Sequence, residues 1–426
     1  MTARRATSLV VVVVLVVGAG LPAAVASRVA AIRQTPAPTQ PPKRATKQAT
    51  KQASTRPGPA PQVDATIREA DAARESGALE EAVALYQKAL AARPRWVEGW
   101  WNLGTSMYEL EDWPGARRAF DRLLRLDNDH GAAVAFKGLC EFRMGEYPEA
   151  LESLLRSKAL GVSGNPELGS VARFHAGLTM TRLGQFELAL NTLGEFALEG
   201  NDSPQIIEAM GLPTLRLRLL PAEVPPQQRE MVMMAGRASY FMAMRLAPAA
   251  RTAFEELTLR YPDAPNVHYA FGVFLMTDDP DRAIREFQRE LKTQPGHATA
   301  HIQIAYEYVK RGDFVSARPH ATQAVTLAPT DFVAHRLMGQ IQLETEQVEQ
   351  AIASLEQSRT LEPNSPSVRF TLAKAYQRAG RAADAERERA EFTRLDRLAR
   401  LQRSGVSDVG GLVDKVGGSP PGRPNP

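Results

Sequence analysis

One pattern recurs in this chain at a period of 34 residues, and it limits the fold more than any other feature. It is plainest from Val97 to His130, where Trp100, Leu103, Gly104 and Met107 form one apolar stripe and Trp113, Ala116, Phe120 and Leu123 another. Each stripe has helical spacing, and the polar break between them carries Pro114, suited to the first turn of a second helix. The unit is a helix, a tight turn and a helix. Neither helix can bury its apolar face alone, so the chain is expected to stack copies of the unit.

The spacing runs in phase through nine units. Ahead of the clearest one, residues 63–96 carry Ala70, Gly77, Ala82, Tyr86, Ala89 and Pro94. After it, residues 131–164 carry Gly138, Gly145, Tyr147 and Ala150, and residues 170–203 carry Gly177, Gly184, Phe186 and Ala189. The array resumes at 231–264 with Ala238, Phe254 and Pro262, at 265–297 with Gly272, Ala283, Phe287 and Pro295, and at 298–331 with Ala305, Gly312, Phe314 and Pro329. Residues 332–365 carry Gly339, Ala351, Leu355 and Pro363; residues 366–397 carry Ala373, Gly380 and Ala385 and end in a polar helix suited to capping the stack. Small residues at unit positions 8 and 20 let the two helices approach, and large ones at 4, 11, 17 and 24 fill around that contact. Gly at 15 permits the turn, and Pro at 32 stops the second helix.

These residues resemble the tetratricopeptide repeat. The resemblance implies an all-α protein, a right-handed α-solenoid (superhelix) of about nine helix-turn-helix repeats with one non-repeat helical insertion. The first repeat block is expected at 63–203, the insertion at 204–230 and the second block with its capping helix at 231–404. Within the insertion, Ser203-Pro204 reads as a helix start, two short helices broken at Pro213 are expected, and the run from Pro221 to Pro226 reads as extended.

The ends read differently. Residues 1–26 have a positive start at Arg4 and Arg5, an apolar run from Leu9 to Leu21 and Ala24-Val25-Ala26, the order of a bacterial signal peptide cleaved after Ala26. If uncut, the same stretch is long enough to anchor in the inner membrane. Either way the body is expected outside the cytoplasm, periplasmic or secreted. Residues 27–62, rich in Pro, Thr, Lys and Gln, and the tail at 405–426 read as disordered. Charge follows this division. The chain is +4 overall, but residues 1–62 hold nine Lys or Arg and no acid, which leaves −5 on the rest and argues against a nucleic-acid partner for the body.

Catalytic patterns are missing. There is no Gly-rich phosphate loop, no nucleophile elbow and no zinc-type pairing, and the single cysteine, Cys140, sits in an apolar stripe. His268, His301 and His335 fall at unit position 4 and read as packing residues. No catalytic residue, cofactor or metal is therefore expected, and the chain reads as a non-enzyme. What remains is a surface. In the family it resembles, unit positions 2, 5, 9, 12 and 13 line the concave groove, which implies partner-binding roles for Trp101, Tyr108, Phe142, Arg143, Phe174, Arg182, Tyr269, Tyr306, Lys310 and Phe370. The family's carboxylate clamp is unmatched, because Trp101 and Thr105 stand where Lys and Asn belong. The expected function is a protein-binding module or scaffold holding a protein or peptide in that groove. A carrier for an envelope glycan or lipid is the alternative, and a hydrolase hidden in the insertion stands behind both.

Overall fold

A computed structural model of the chain describes residues 60–162 and 165–403. The segments read as signal peptide or anchor, as linker up to residue 59 and as tail lie outside the described residues. The last three residues of the expected linker, 60–62, already belong to the first helix.

Nineteen α-helices and no strand occur among the described residues. They fall into two compact units divided between Ala250 and Arg251. The first unit holds α1 (Ala60–Glu75), α2 (Leu79–Ala92), α3 (Val97–Glu109), α4 (Trp113–Leu124), α5 (Gly131–Arg143), α6 (Tyr147–Leu160), α7 (Pro166–Arg182), α8 (Phe186–Leu198), α9 (Pro204–Thr214) and α10 (Pro226–Ala243). The division falls inside α11 (Ala247–Arg260). The second unit continues with α12 (Val267–Leu275), α13 (Pro280–Thr293), α14 (Ala298–Lys310), α15 (Phe314–Leu327), α16 (Phe332–Glu344), α17 (Val348–Leu361), α18 (Pro366–Arg378) and α19 (Ala382–Arg403).

The helix pairs form for the reasons the period suggests. A Cβ on Gly104 would lie 2.7 Å from the ring of Phe120, so α3 and α4 can close only over a residue without a side chain. The same contact recurs between Gly177 and Leu193 and between Gly272 and Phe287. Buried rings then fill each unit: Tyr86, Phe120 and Phe136 in the first, Phe254, Phe271 and Phe287 in the second. Between the paired helices the turn takes a positive φ, held by Gly in five repeats, and by Glu111, Arg245 and Glu346 at the same repeat position in three others.

Unit position 4 departs from its reading as packing bulk. In five repeats its side chain is a hydrogen-bond donor that reaches back six residues to the carbonyl of the helix-ending proline. Trp100 Nε1 donates to Pro94 O at 2.9 Å, His268 Nε2 to Pro262 O at 2.9 Å, His301 Nε2 to Pro295 O at 3.2 Å, His335 Nε2 to Pro329 O at 2.9 Å and Arg369 Nη2 to Pro363 O at 2.8 Å. A carbonyl only accepts, so each histidine carries its hydrogen on Nε2. The clasp ties these five first helices to the end of the preceding repeat.

The insertion is built from one helix rather than two. Pro213 falls in the last turn of α9 instead of breaking it, and a 3₁₀ turn at Pro221–Glu223 interrupts the run that was expected to be extended. Contacts between α9 and α10 rise together along both helices: Glu208 with Arg229 at 3.2 Å, Gly211 against Val232, then Thr214 with Ser239 at 2.5 Å. The two helices therefore run in the same direction, unlike the antiparallel pair of a repeat. The backbones nearly touch, since a Cβ on Gly236 would lie 1.8 Å from the carbonyl oxygen of Ile207.

Candidate functional site

In the first unit the expected groove residues are mostly covered. Trp101 on α3 stacks on His130 at 5.2 Å and meets Phe120 and Phe136 edge-on at 5.9 and 5.5 Å. Tyr108 is edge-on to Trp113 and Phe136 at 4.8 and 5.0 Å, and burial pushes its phenol up to about 12. Phe142 packs on Tyr147 and His175, and Phe174 on His175 and Phe196. Each of these rings fills the seam to a neighbouring helix. The two cations are also engaged: Arg143, although exposed, lies over the Trp113 ring, and Arg182 lies over Tyr147. Arg182 further donates to the Arg218 carbonyl at 2.8 Å and to Glu223 at 2.9 Å, holding the connection between α9 and α10.

The second unit mixes covered and open positions. Tyr269 is 5 % exposed and stacks on His297 at 4.6 Å, in the repeat-equivalent place to Trp101 on His130. Tyr306 and Phe370, by contrast, are 39 % and 50 % exposed. Lys310 is open, 3.7 Å from the buried Glu307 carboxylate, and Lys374 lies over the Phe370 ring at 5.6 Å. Between them on α16 stands Arg336, at unit position 5. Its guanidinium is half-buried, burial pulls it below the usual arginine value, and the Tyr306 phenol beside it opposes that shift. No carboxylate among the described residues pairs with it. The structure thus brings together Tyr306, Lys310 and Arg336 with Phe370 and Lys374 on the first-helix face of consecutive repeats.

A second set of recesses lies on the other helices. Among the described residues, cavities at one repeat phase lie between successive second helices, with a position-4 side chain in the lining at Trp100, Arg173 and His268. The largest, about 620 Å³, is bordered by Thr258, Pro262, Arg282, Arg289 and Lys292 around His268. Its charges are largely answered. Arg282 pairs with Glu255 at 2.7 Å, and the buried Glu286 carboxylate takes both Arg289 at 2.9 Å and His268 Nδ1 at 2.6 Å. In the first unit Arg173 is held bidentate by Glu199, with both bonds at 2.6 Å. This face was missed in the sequence because position 4 was read by size. The signal that could have found it is that Trp, His or Arg, all N–H donors, occupies the position in six of the nine repeats.

One repeat replaces the carboxylate partner with an imidazole. His301 Nδ1 lies 3.1 Å from His320 Nδ1. Burial holds both rings below the usual imidazole range.

Comparison with known proteins matches the repeat architecture in pieces. Families described as tetratricopeptide repeat or TPR repeat match at residues 102–161, 70–111 and 342–391. The ChAPs family (Chs5p-Arf1p-binding proteins) matches at 232–364. No curated protein matches the chain. Among solved structures the chain is similar to the MamA RS-1 ArsTM double mutant, with 21 % identity over 40 % of this chain and 96 % of that one and a TM-score of 0.37. It is similar to MamA 41-end from Desulfovibrio magneticus RS-1, with 21 % identity, 39 % and 96 % coverage and a TM-score of 0.37. For MamA AMB-1 the values are 22 % identity, 43 % and 97 % coverage and a TM-score of 0.34.

Proposed function

The chain is a tetratricopeptide-repeat protein, and on that premise we propose that it is a non-catalytic interaction module whose second unit binds an extended, acidic segment of a partner protein. The observation that carries this reading is Arg336. A half-buried guanidinium without a carboxylate partner is costly to hold, and a bound carboxylate would supply the missing charge in a partly dry setting where the pair is strong. Open aromatic faces at Tyr306 and Phe370, with Lys310 and Lys374 near them, are the residue types that anchor a bound chain. The match at 232–364 to a family named for binding Chs5p and Arf1p supports a protein as the partner class.

The test is fluorescence anisotropy of the full chain with labelled peptides of equal length, acidic, neutral and basic, each containing aromatic residues. Acidic peptides should bind best, and Arg336→Gln should weaken them by about tenfold or more. Binding indifferent to peptide charge, or unchanged by Arg336→Gln, refutes the proposal.

We place the body outside the cytoplasm on the order of charge, apolar run and small residues in 1–26. No helix among the described residues is long and apolar enough to cross a membrane. The first residue of the mature protein decides between a cut signal and a retained anchor, and a cytoplasmic full-length chain rejects both.

A further inference from the structure

His301 on α14 and His320 on α15 meet inside a single repeat, at unit positions 4 and 23. The same two positions pair in other repeats of this unit. His268 Nδ1 is 2.6 Å from Glu286, and Arg369 Nη1 is 2.9 Å from Glu388. There a donor faces a carboxylate. In this repeat the carboxylate is replaced by a second imidazole, with the Nδ1 atoms 3.1 Å apart and the ring centroids 5.2 Å apart.

The tautomer of His301 is fixed by its clasp. Nε2 donates to the Pro295 carbonyl at 3.2 Å, so Nδ1 presents a lone pair toward His320. An imidazole held through one nitrogen by a backbone carbonyl, with the other nitrogen free, is the usual outer-shell arrangement of a metal-binding histidine. The spacing fits as well. With metal–nitrogen bonds of about 2.05 Å, two ligands of a tetrahedral ion stand about 3.3 Å apart. Both side chains are half-buried, which leaves the ion a path and leaves room for water.

We infer that His301 and His320 bind one divalent cation of the zinc or copper(II) kind through their Nδ1 atoms. Imidazole nitrogen selects these ions over magnesium or calcium, which prefer oxygen. No group of three or more His, Cys, Asp or Glu suited to a metal occurs among the described residues, so water completes the coordination and the ion exchanges freely. Without the metal the same pair closes as a hydrogen bond, His320 Nδ1–H donating to His301 Nδ1.

The test titrates the full chain separately with zinc and copper(II), by calorimetry, and reads copper by electron paramagnetic resonance. The wild-type chain should take up one equivalent at this site with two nitrogen ligands. His320→Gln, whose amide can still donate to His301, should weaken uptake by about tenfold or more and leave one nitrogen. His301→Gln provides the second variant, and circular dichroism of each checks the fold. His335→Gln, which removes a clasp histidine with no imidazole opposite, should leave uptake unchanged. Equal uptake by wild type and both pair variants, or loss in His335→Gln alone, overturns the site and leaves only a neutral histidine pair.

Discussion

The carboxylate of Glu290 on α13 accepts the backbone N–H of Asn266 at 2.7 Å and closes the N-terminus of α12, a helix to which it does not belong. Its other oxygen takes the N–H of Tyr269 at 3.1 Å. Local capping is missing there, since Asn266 has φ +65° and its side chain makes no cap bond.

Glu290 is fully buried, so removing it strands two N–H groups. Glu290→Ala is expected to destabilise the second unit by about 3 kcal/mol, and Glu290→Gln, which keeps one acceptor, by about half of that. Urea unfolding followed by circular dichroism measures both. An unmoved midpoint for the alanine variant rejects the cap.

Glu111, Arg245 and Glu346 hold the positive φ that glycine holds in other repeats, at 61°, 57° and 63°. A side chain in that region costs about 1 kcal/mol relative to glycine, less the entropy glycine adds to the unfolded chain. Glu346→Gly should therefore raise stability by about 0.5–1 kcal/mol, and Gly312→Ala should lower it by a similar amount. Thermal midpoints of the two variants moving in the same direction would contradict this.

His175 titrates against the fold. Burial lowers its imidazole from 6.5 to about 4, against the opposing effect of Nδ1–H donation to the Val171 carbonyl at 2.8 Å, so above that value the folded ring is neutral. On acidification the unfolded chain takes up the proton first. The contribution is intact above the unfolded value and is lost as pH falls from 6.5 toward 4, by about 3 kcal/mol in all. Other groups titrate too, so the measurement is a difference: wild type against His175→Leu, unfolded by denaturant at about pH 7, 5.5 and 4. Wild type should lose stability relative to the variant as pH falls, and a constant difference would show that His175 is not the group responsible.

Trp101 joins one repeat to the next through His130 and Phe136. Trp101→Ala is expected to cost about 3–5 kcal/mol of stability in the first unit. Binding of acidic peptides by the second unit should persist in that variant below its unfolding temperature. Loss of binding with the fold intact would return Trp101 to the site.

The period predicted the helices well because its evidence is local: a glycine that admits Phe120 or Leu193, a turn residue with positive φ, a proline after the last turn. Exposure was less legible, because unit phase says which way a residue points and not what the next repeat places over it. Trp101 and Tyr269 are covered by His130 and His297, which cap the first helices of the following repeats. Tyr306 stays 39 % exposed, and Phe370, with Phe392 against one side, stays 50 % exposed. Nor could phase show that α9 would run alongside α10 in the same direction, since that rests on Gly211 and Gly236 meeting across a connection without the repeat pattern. Arg336 stands at unit position 5, a groove position by phase, but its lack of a carboxylate partner among the described residues is a property of the assembled surface.

The five clasps from position 4 to proline span only six residues, and each joins its repeat to the one before it. Within each unit, tension applied along the chain would reach one such tie at a time. Stretched, the protein would lengthen in steps of one repeat, about 120 Å for each 34 residues released. It would behave as a row of separate latches, each able to close again when the load is removed.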